Sequence, residues 1–381
     1  MKNILIIAGE ASSDRYAANL IKDMRSIQKD IVFRGLGGDE MEAAGAQLFD
    51  KITHLAFIGP GGLLRGYLKL RNVLGCLIRQ IKKQRPDYAI LLDYAEFNLR
   101  VARVLKNMGV PVIYYISPQI WAWGLWRVNT IRRLVDKIIV FFQFEETLYR
   151  KYSIDVKCVG HPLLEIVKVT ADAKEFKKNL GIQENSKVIG ILPGSRKSEI
   201  KNILPIMLES ALTLANTSKT DINFILPLAP TIDVSAIKDL MSGLGIKVLI
   251  VHDNIYNALN ICDCAMVASG TATLETALIG IPMAIIYKTN FLTYILTKKL
   301  IKLPFIGLVN IVAGKKIVEE FLQYDARPEK ISSYLQRIIS NKELSCGIKQ
   351  EFIKVKKSLG TPGAGMRAAG EIIRFINNNP A

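Results

Sequence analysis

The apolar and polar positions of this chain repeat one phrase: a short continuous apolar run stops, and a polar or glycine-rich turn follows at once. Asn3–Ala8 (NILIIA) runs into Gly9–Asp14 (GEASSD), Tyr88–Leu92 (YAILL) into Asp93–Asn98 (DYAEFN), and Val112–Ile116 (VIYYI) into Ser117–Trp123 (SPQIWAW). Farther on, Lys187–Leu192 (KVIGIL) runs into Pro193–Glu199 (PGSRKSE), and Cys264–Ala268 (CAMVA) into Ser269–Glu275 (SGTATLE). Runs apolar at every position, without alternation, belong to parallel strands buried on both faces. In open α/β sheets ligands bind beyond the carboxyl ends of such strands, and every chemically interesting cluster in this sequence falls there. The layout is that of an enzyme.

The pattern predicts strands near 3–8, 31–34, 87–92, 110–116, 137–141 and 156–159, with helices near 15–28, 63–84, 99–108, 128–134 and 145–152 between them. A second series predicts strands near 187–192, 222–226, 247–251, 264–268 and 282–286, with helices near 200–215, 232–241, 255–260, 272–279 and 291–300. Two successive series of βα units imply an α/β protein of two doubly wound domains. His161-Pro162 closes one pattern and a charged helix opens the next, which divides the chain into 1–165 and 166–355. Residues 356–381 form a C-terminal helical segment expected to pack back on the first domain, beyond the break at Thr361-Pro362-Gly363.

With 381 residues, half of them apolar, the chain has the material for two cores. No stretch reads as a membrane span or a signal peptide, so a cytoplasmic protein is expected. The five cysteines and three histidines are scattered without metal-ligand spacing, and Cys262 and Cys264 read as small core residues. A formal net charge of +17 fits nucleic acid, an anionic membrane or phosphorylated substrates. The basic residues form no dense block and no aromatic RNA-binding signature, which disfavours nucleic acid. Two segments mix cations with large apolar residues: 57–71, with Leu63, Leu64 and Tyr67, and 288–305, with Phe291, Tyr294, Ile295 and Leu296. They suit contact with an anionic bilayer face, and equally suit ordinary core-facing helices.

Gly9 allows a tight turn into the first helix, and Ser12, Ser13 and Asp14 are candidates to cap it. Neither this turn nor Gly35-Leu36-Gly37-Gly38 completes a dinucleotide fingerprint. Asp93, at the end of its strand, reads as a general base for a substrate hydroxyl or as a turn cap, with Glu96 in a supporting place. Gly194, Ser195 and Arg196 open a helix where backbone amides and a guanidinium would bind phosphate. The turn Ser269-Gly270-Thr271-Ala272-Thr273 repeats the device, and Glu275 stands where it would accept bonds from ribose hydroxyls. A cap on Thr271 would put the acid at 274, so capping accounts for Glu275 poorly. Two such turns and an acid make a nucleotide-diphosphate site. No Asp-x-Asp pair is present to hold a divalent ion, so neither metal nor cofactor is expected, and Arg196 with helix amides must neutralise the diphosphate.

The motifs GEASSD, LLDYAEFN, ISPQIWAW, GHP, LPGSRKSEI and ASGTATLE, in this order over nearly the whole chain, resemble lipid-A-disaccharide synthases, glycosyltransferase family 19. The resemblance implies the GT-B fold, two Rossmann-like domains facing a central cleft. It implies inverting, metal-free transfer of 2,3-diacylglucosamine from UDP to 2,3-diacylglucosamine 1-phosphate, giving a β-1,6 bond, at the inner face of the cytoplasmic membrane. Asp93 would be the base, Arg196 and the 269–273 turn would hold UDP, and Asn310 would lie near the donor. Residues that bind or support the acceptor are expected among Gly9, Glu10, Ser12, Asp14, Glu96, Ser117, Gln119, Trp121 and His161. The chain departs from the family pattern at Ser13, at Gly62 in place of a glutamate, and at Leu308-Val309-Asn310. Another GT-B transferase or a UDP-sugar epimerase is the alternative enzyme, and a basic nucleic-acid-binding protein the alternative without catalysis. The sequence leaves acyl-chain length and oligomeric state open.

Overall fold

A computed structural model describes residues 1–51, 63–218, 220–228, 234–241, 245–252, 254–289 and 304–380, and within these the chain forms two compact units. The first comprises Met1–Pro162 with Leu359–Ala381, the second Leu163–Ser358. Gly62, Phe291, Tyr294, Ile295 and Leu296 lie outside the described residues. Leu63, Leu64 and Tyr67 fall within a helix, but their side chains lie outside the description.

The first unit's strands are β1 (Lys2–Ala8), β2 (Ile31–Gly37), β3 (Gln47–Lys51), β4 (Tyr88–Leu92), β5 (Val112–Tyr115), β6 (Lys137–Val140) and β7 (Val156–Cys158). They form one parallel sheet in the order β3-β2-β1-β4-β5-β6-β7. Its helices are α1 (Ala11–Ile27), α2 (Asp39–Ala43), α3 (Leu63–Lys83), α4 (Ala95–Asn107), α5 (Ile120–Trp123), α6 (Val128–Leu134) and α7 (Gln143–Arg150). The apolar runs behave as expected: β1 from Ile4 onward and all of β4 and β5 are buried. One core cluster joins Leu91, Val101, Val112, Tyr114, Ile131, Ile138 and Tyr149 across strands and helices.

The second unit repeats the plan with β8 (Lys187–Leu192), β9 (Ile222–Pro227), β10 (Val248–Val251), β11 (Cys264–Ala268), β12 (Met283–Tyr287) and β13 (Glu320–Leu322), in the order β10-β9-β8-β11-β12-β13. Its helices are α8 (Leu163–Ile166), α9 (Ala173–Asn179), α10 (Lys197–Thr217), α11 (Val234–Met241), α12 (Ile255–Asn260), α13 (Thr271–Ile279), α14 (Leu308–Ala313), α15 (Pro328–Ser340) and α16 (Lys342–Ser358). The last helix, α17 (Ala364–Asn378), returns to the first unit and packs on α1. The buried Tyr88 hydroxyl donates to the carbonyls of Ile376 and Asn379, 3.0 and 2.6 Å away, and ties down its end.

In each sheet the chain starts in the middle, winds outward one way, and then jumps back to wind the other way. The strand order therefore reverses between β1 and β4 and again between β8 and β11. Such switch points open a crevice at the carboxyl ends of the strands, because the following loops leave in opposite directions. Gly9 and Asp93 flank the first reversal, and Pro193 and Ser269 the second.

Two elements differ from expectation in a readable way. Strand β3 (QLFDK) is almost wholly exposed at the sheet edge, so no apolar run marks it. Gly35 is no ligand-binding glycine: it pairs with Ile6 inside the sheet, where an added Cβ would fall 1.8 Å from the Ile6 carbonyl oxygen.

Glycine substitutions should therefore act with opposite signs. Gly35→Ala forces β1 and β2 apart and should cost more than about 3 kcal/mol or prevent folding. Gly75→Ala, in α3 with nothing within 4 Å of the new methyl, should add roughly 0.5–1 kcal/mol. Chemical unfolding of the two variants measures both.

Candidate active site

At the first switch point the backbone is strained. Asp93 and Tyr94 have φ of 49° and 41°, and Ile116, one strand over, has 63°. Left-handed geometry costs a non-glycine residue roughly 1–2 kcal/mol, most for a β-branched one, so surrounding bonds must hold it. The Asp93 N–H donates to the Ile116 carbonyl at 3.2 Å. The Asp93 carbonyl accepts from the Tyr114 hydroxyl and, at 2.8 Å, from Asn98 Nδ2, which also donates to the Leu92 carbonyl at 2.9 Å. Asn98 has no exposed surface, and Tyr114 is buried beneath it. Burial, then the Asp93 charge, pushes the Tyr114 phenol well above its ordinary value, so it stays a donor. The Asp93 side chain, partly exposed, is thus carried on a fixed backbone beyond β4. Strain of this kind clusters where function over-determines geometry.

Gly9 completes this corner. A Cβ there would lie 2.8 Å from the Tyr94 ring, so only glycine lets the turn after β1 close on the turn after β4. Glu10 is near enough to raise the Tyr94 phenol, after burial. Ser12 is exposed, whereas the buried Ser13 hydroxyl accepts from the Glu10 N–H at 2.9 Å. Asp14 does not cap α1. Its buried carboxylate accepts from the N–H groups of Gly38 at 2.7 Å, Glu40 at 3.1 Å and Met41 at 3.3 Å, capping α2 instead. With its oxygens committed to backbone, Asp14 supports the site rather than binding in it.

The neighbouring loop is braced by carboxylates. Glu96 pairs with Arg127, which is only 6% exposed and lies 4.6 Å from the centre of the Trp126 ring. Buried Glu145 accepts from Trp121 Nε1 at 3.0 Å, from Ser117 Oγ at 3.3 Å and from the Phe142 N–H at 3.3 Å. Ser117 and Trp121 therefore face inward to Glu145, while Gln119 is exposed. Burial pushes the Glu145 carboxyl up to about 7, although those donors pull it down. His161 sits between the Phe141 and Phe142 rings, 5.2 and 5.1 Å away, and burial lowers it to about 4.

In the second unit, Gly194 takes φ of +104° after β8 and turns the chain into α10. The amides expected to receive phosphate are engaged: Ser195 and Arg196 N–H donate to Glu199 Oε2 at 3.1 and 3.2 Å, and Arg196 Nη1 to Glu199 Oε1 at 3.1 Å. Across the switch point, Ser269 Oγ donates to the Ile306 carbonyl at 2.9 Å, and Gly270 and Thr271 are exposed, with Ala272 partly so. Thr273 is buried. Its hydroxyl donates to the Gly270 carbonyl at 2.8 Å and accepts from the Val309 N–H at 3.3 Å, so it shapes the turn from beneath. Glu275 accepts from the Tyr256 hydroxyl at 3.2 Å, and burial raises its carboxyl.

Asn310 lies beside the 269–273 turn, with its side chain committed to its own loop. It has no exposed surface, and both ends of its amide are committed: Nδ2 to the Val318 carbonyl and Glu320, both 2.9 Å, and Oδ1 to the N–H groups of Ile317 and Val318 at 2.9 and 3.1 Å. Glu320 in turn accepts from the Ile306 and Gly307 N–H groups, each at 2.9 Å. Asn310 thus fixes the loop beside the 269–273 turn and has no free surface for a ligand. Sequence reading missed Asn98, Tyr114, Arg127, Glu145, Glu199 and Glu320. A polar residue inside an apolar helix face was the available signal for Asn98, and the spacing from Arg196 that for Glu199.

One switch point thus carries a partly exposed acid and the other two glycine turns. The family model for lipid-A-disaccharide synthetase matches residues 4–362. The chain belongs to the lipid-A-disaccharide synthase family. The synthase of Syntrophus aciditrophicus is 41% identical over 384 residues, covering 99% of each chain. That of Geobacter sulfurreducens is 38% identical over 380 residues, covering 98% of this chain and 97% of its own. This lipid-A-disaccharide synthase family member is therefore an enzyme, a glycosyltransferase of lipid A formation. Among solved structures, a UDP co-structure of S. aureus MnaA matches with TM-score 0.65 and 13% identity, covering 100% of this chain and 98% of that one. CalG4, the calicheamicin glycosyltransferase, matches with TM-score 0.61 and 12% identity over all of both chains. At such identities these likenesses show the fold, which is GT-B.

Glu145 and His161 make opposite contributions to stability with pH. Glu145 rises from 4.5 to about 7 on folding, so the native state holds the extra proton and loses stability as pH climbs through that window. His161 falls from 6.5 to about 4, so the unfolded state holds the extra proton and stability grows as pH climbs from about 4 to 6.5. Wild type should be nearly flat where the windows overlap. Glu145→Gln, which has no proton to lose, should gain about 2–3 kcal/mol relative to wild type between mildly acid and neutral pH. Urea unfolding across a pH series measures the gain, and a difference independent of pH would contradict it.

Proposed function

We propose that this enzyme transfers 2,3-diacylglucosamine from UDP to 2,3-diacylglucosamine 1-phosphate, inverting the anomeric centre to form a β-1,6-linked disaccharide 1-phosphate and UDP. The observation that carries this reading is Asp93, a partly exposed carboxylate at a switch point on a backbone locked by Asn98 and Tyr114. A base fixed in this way can take the proton of the acceptor hydroxyl as its oxygen attacks the anomeric carbon. The new carbon–oxygen bond forms as the bond to the UDP phosphate breaks on the opposite face, which inverts the centre. The leaving diphosphate gains negative charge, and Arg196 with the first amides of α10 and α13 would stabilise it. Glu275, held by Tyr256, would accept from the ribose hydroxyls.

No metal is required in this scheme. Among the described residues no three His, Cys, Asp or Glu side chains group as a metal site would need. Two acylated substrates put the reaction at a membrane surface. Among the described residues no helix is long and apolar enough to cross a membrane. A net charge of +17 supports peripheral attachment to anionic lipid at the cytoplasmic face.

Asp93→Asn should lower turnover of the diacylated donor and acceptor by roughly two to four orders of magnitude, with UDP affinity and melting temperature unchanged. Turnover within a few-fold of wild type would remove Asp93 from the chemistry. EDTA should leave wild-type turnover intact, and restoration of lost turnover by magnesium or manganese would contradict metal-free transfer.

A further inference from the structure

The turn assigned to the donor diphosphate already carries an anion, supplied by the protein. Glu199 Oε2 receives two backbone N–H bonds, from Ser195 at 3.1 Å and Arg196 at 3.2 Å, and Oε1 receives the Arg196 guanidinium at 3.1 Å. One oxygen on two successive amides with a guanidinium on its neighbour is how a phosphate would be held at a helix start. The carboxylate is pressed onto the turn: a Cβ on Gly194 would lie 2.2 Å from Glu199 Oε2. In an ordinary capping box the acid three residues into the helix returns to a single N–H of the cap residue. Glu199 reaches one amide farther and also engages the cap residue's side chain. The Tyr287 hydroxyl, at the end of β12, feels both Glu199 and Arg196, so this cluster lies along the carboxyl edge of the sheet. The Glu199 side chain keeps 24% exposure and has room to leave toward solvent.

We infer that the Glu199 carboxylate is a built-in stand-in for the donor diphosphate, holding the 193–196 turn in its binding form when empty and being displaced when UDP arrives. The inference rests on the assignment of this turn to UDP. Two anions cannot share the same two amides, so the diphosphate must drive the carboxylate off. Donor affinity is therefore set below what the turn could give, and that difference favours release of the product UDP. Glu199 is a residue that tunes affinity and has no part in the chemistry.

The test is calorimetric binding of UDP and of uridine to wild type and Glu199→Gln, at low salt and at about 0.5 M salt, where charges acting through solvent are screened within a few ångströms. A neutral amide holds the turn weakly, so UDP should bind the variant roughly tenfold more tightly at both salt concentrations. Uridine, which lacks the diphosphate, should bind both proteins equally. The variant should melt below wild type when empty and draw level with it when saturated with UDP. A UDP affinity equal to or weaker than wild type would show Glu199 to be a permanent cap and overturn the inference. So would a gain that vanishes in salt, or one shared by uridine. Failure of wild type to bind UDP at all would instead strike the donor-site assignment, which separates the two claims. Should Glu199→Gln not fold, Glu199→Asp, whose shorter arm cannot reach both amides, carries the same expectations.

Discussion

The first unit's site depends on a left-handed backbone at Asp93 and Tyr94 that neither residue favours. Two successive residues in that region cost roughly 2–4 kcal/mol together, and the offset comes from bonds that converge on the same few atoms. Asn98 binds the carbonyls of Leu92 and Asp93, Tyr114 binds the Asp93 carbonyl, and Ile116 receives the Asp93 N–H. Glycine at position 9 then gives the Tyr94 ring its place. The outcome is a carboxylate carried on a backbone that the sheet and its neighbours hold in place.

The same device recurs around both switch points: a buried or half-buried polar side chain captures loop backbone. Asp14 caps α2, Glu145 gathers Ser117, Trp121 and Phe142, Glu320 and Asn310 hold the chain from 306 to 318, and Glu199 holds 195–196. Where the captured groups are buried, as for Asp14, Glu145 and Asn310, each bond replaces water on a group otherwise left without a partner, a loss of about 1–3 kcal/mol apiece. Loops so braced stay ordered before substrate arrives, which lowers the entropy that binding must overcome. Glu145 and His161 show the cost, since burial moves both far from their ordinary values.

Continuous apolar runs made the parallel strands legible, because only a doubly covered sheet buries every side chain of Ile4–Ala8 or Cys264–Ala268. Polar edges hid others: β3 exposes nearly all of QLFDK, and β13 is three residues long. Helix α4 starts at Ala95 rather than at Leu99, where the apolar pattern sets it, because its cap position is the left-handed Tyr94, whose side chain makes no capping bond. Among the candidate site residues, the glycine turns and the acid after β4 stand out locally in the sequence. The braces did not, because Glu145 to Trp121 or Asn98 to Tyr114 are partnerships made by folding. Asn310 adds a further role that the sequence does not display: its amide holds the backbone of Ile317 and Val318.

The account centres on transfer between two acylated sugars, and product analysis tests that most directly. The enzyme would be incubated with UDP-2,3-diacylglucosamine, with and without 2,3-diacylglucosamine 1-phosphate, and the lipid products examined by mass spectrometry and by proton coupling at the new anomeric centre. The account predicts a tetra-acylated disaccharide 1-phosphate with a β linkage, formed with equimolar UDP and only when the acceptor is present. An epimerised UDP-sugar without acceptor, free diacylglucosamine from hydrolysis, or an α-linked disaccharide would contradict it.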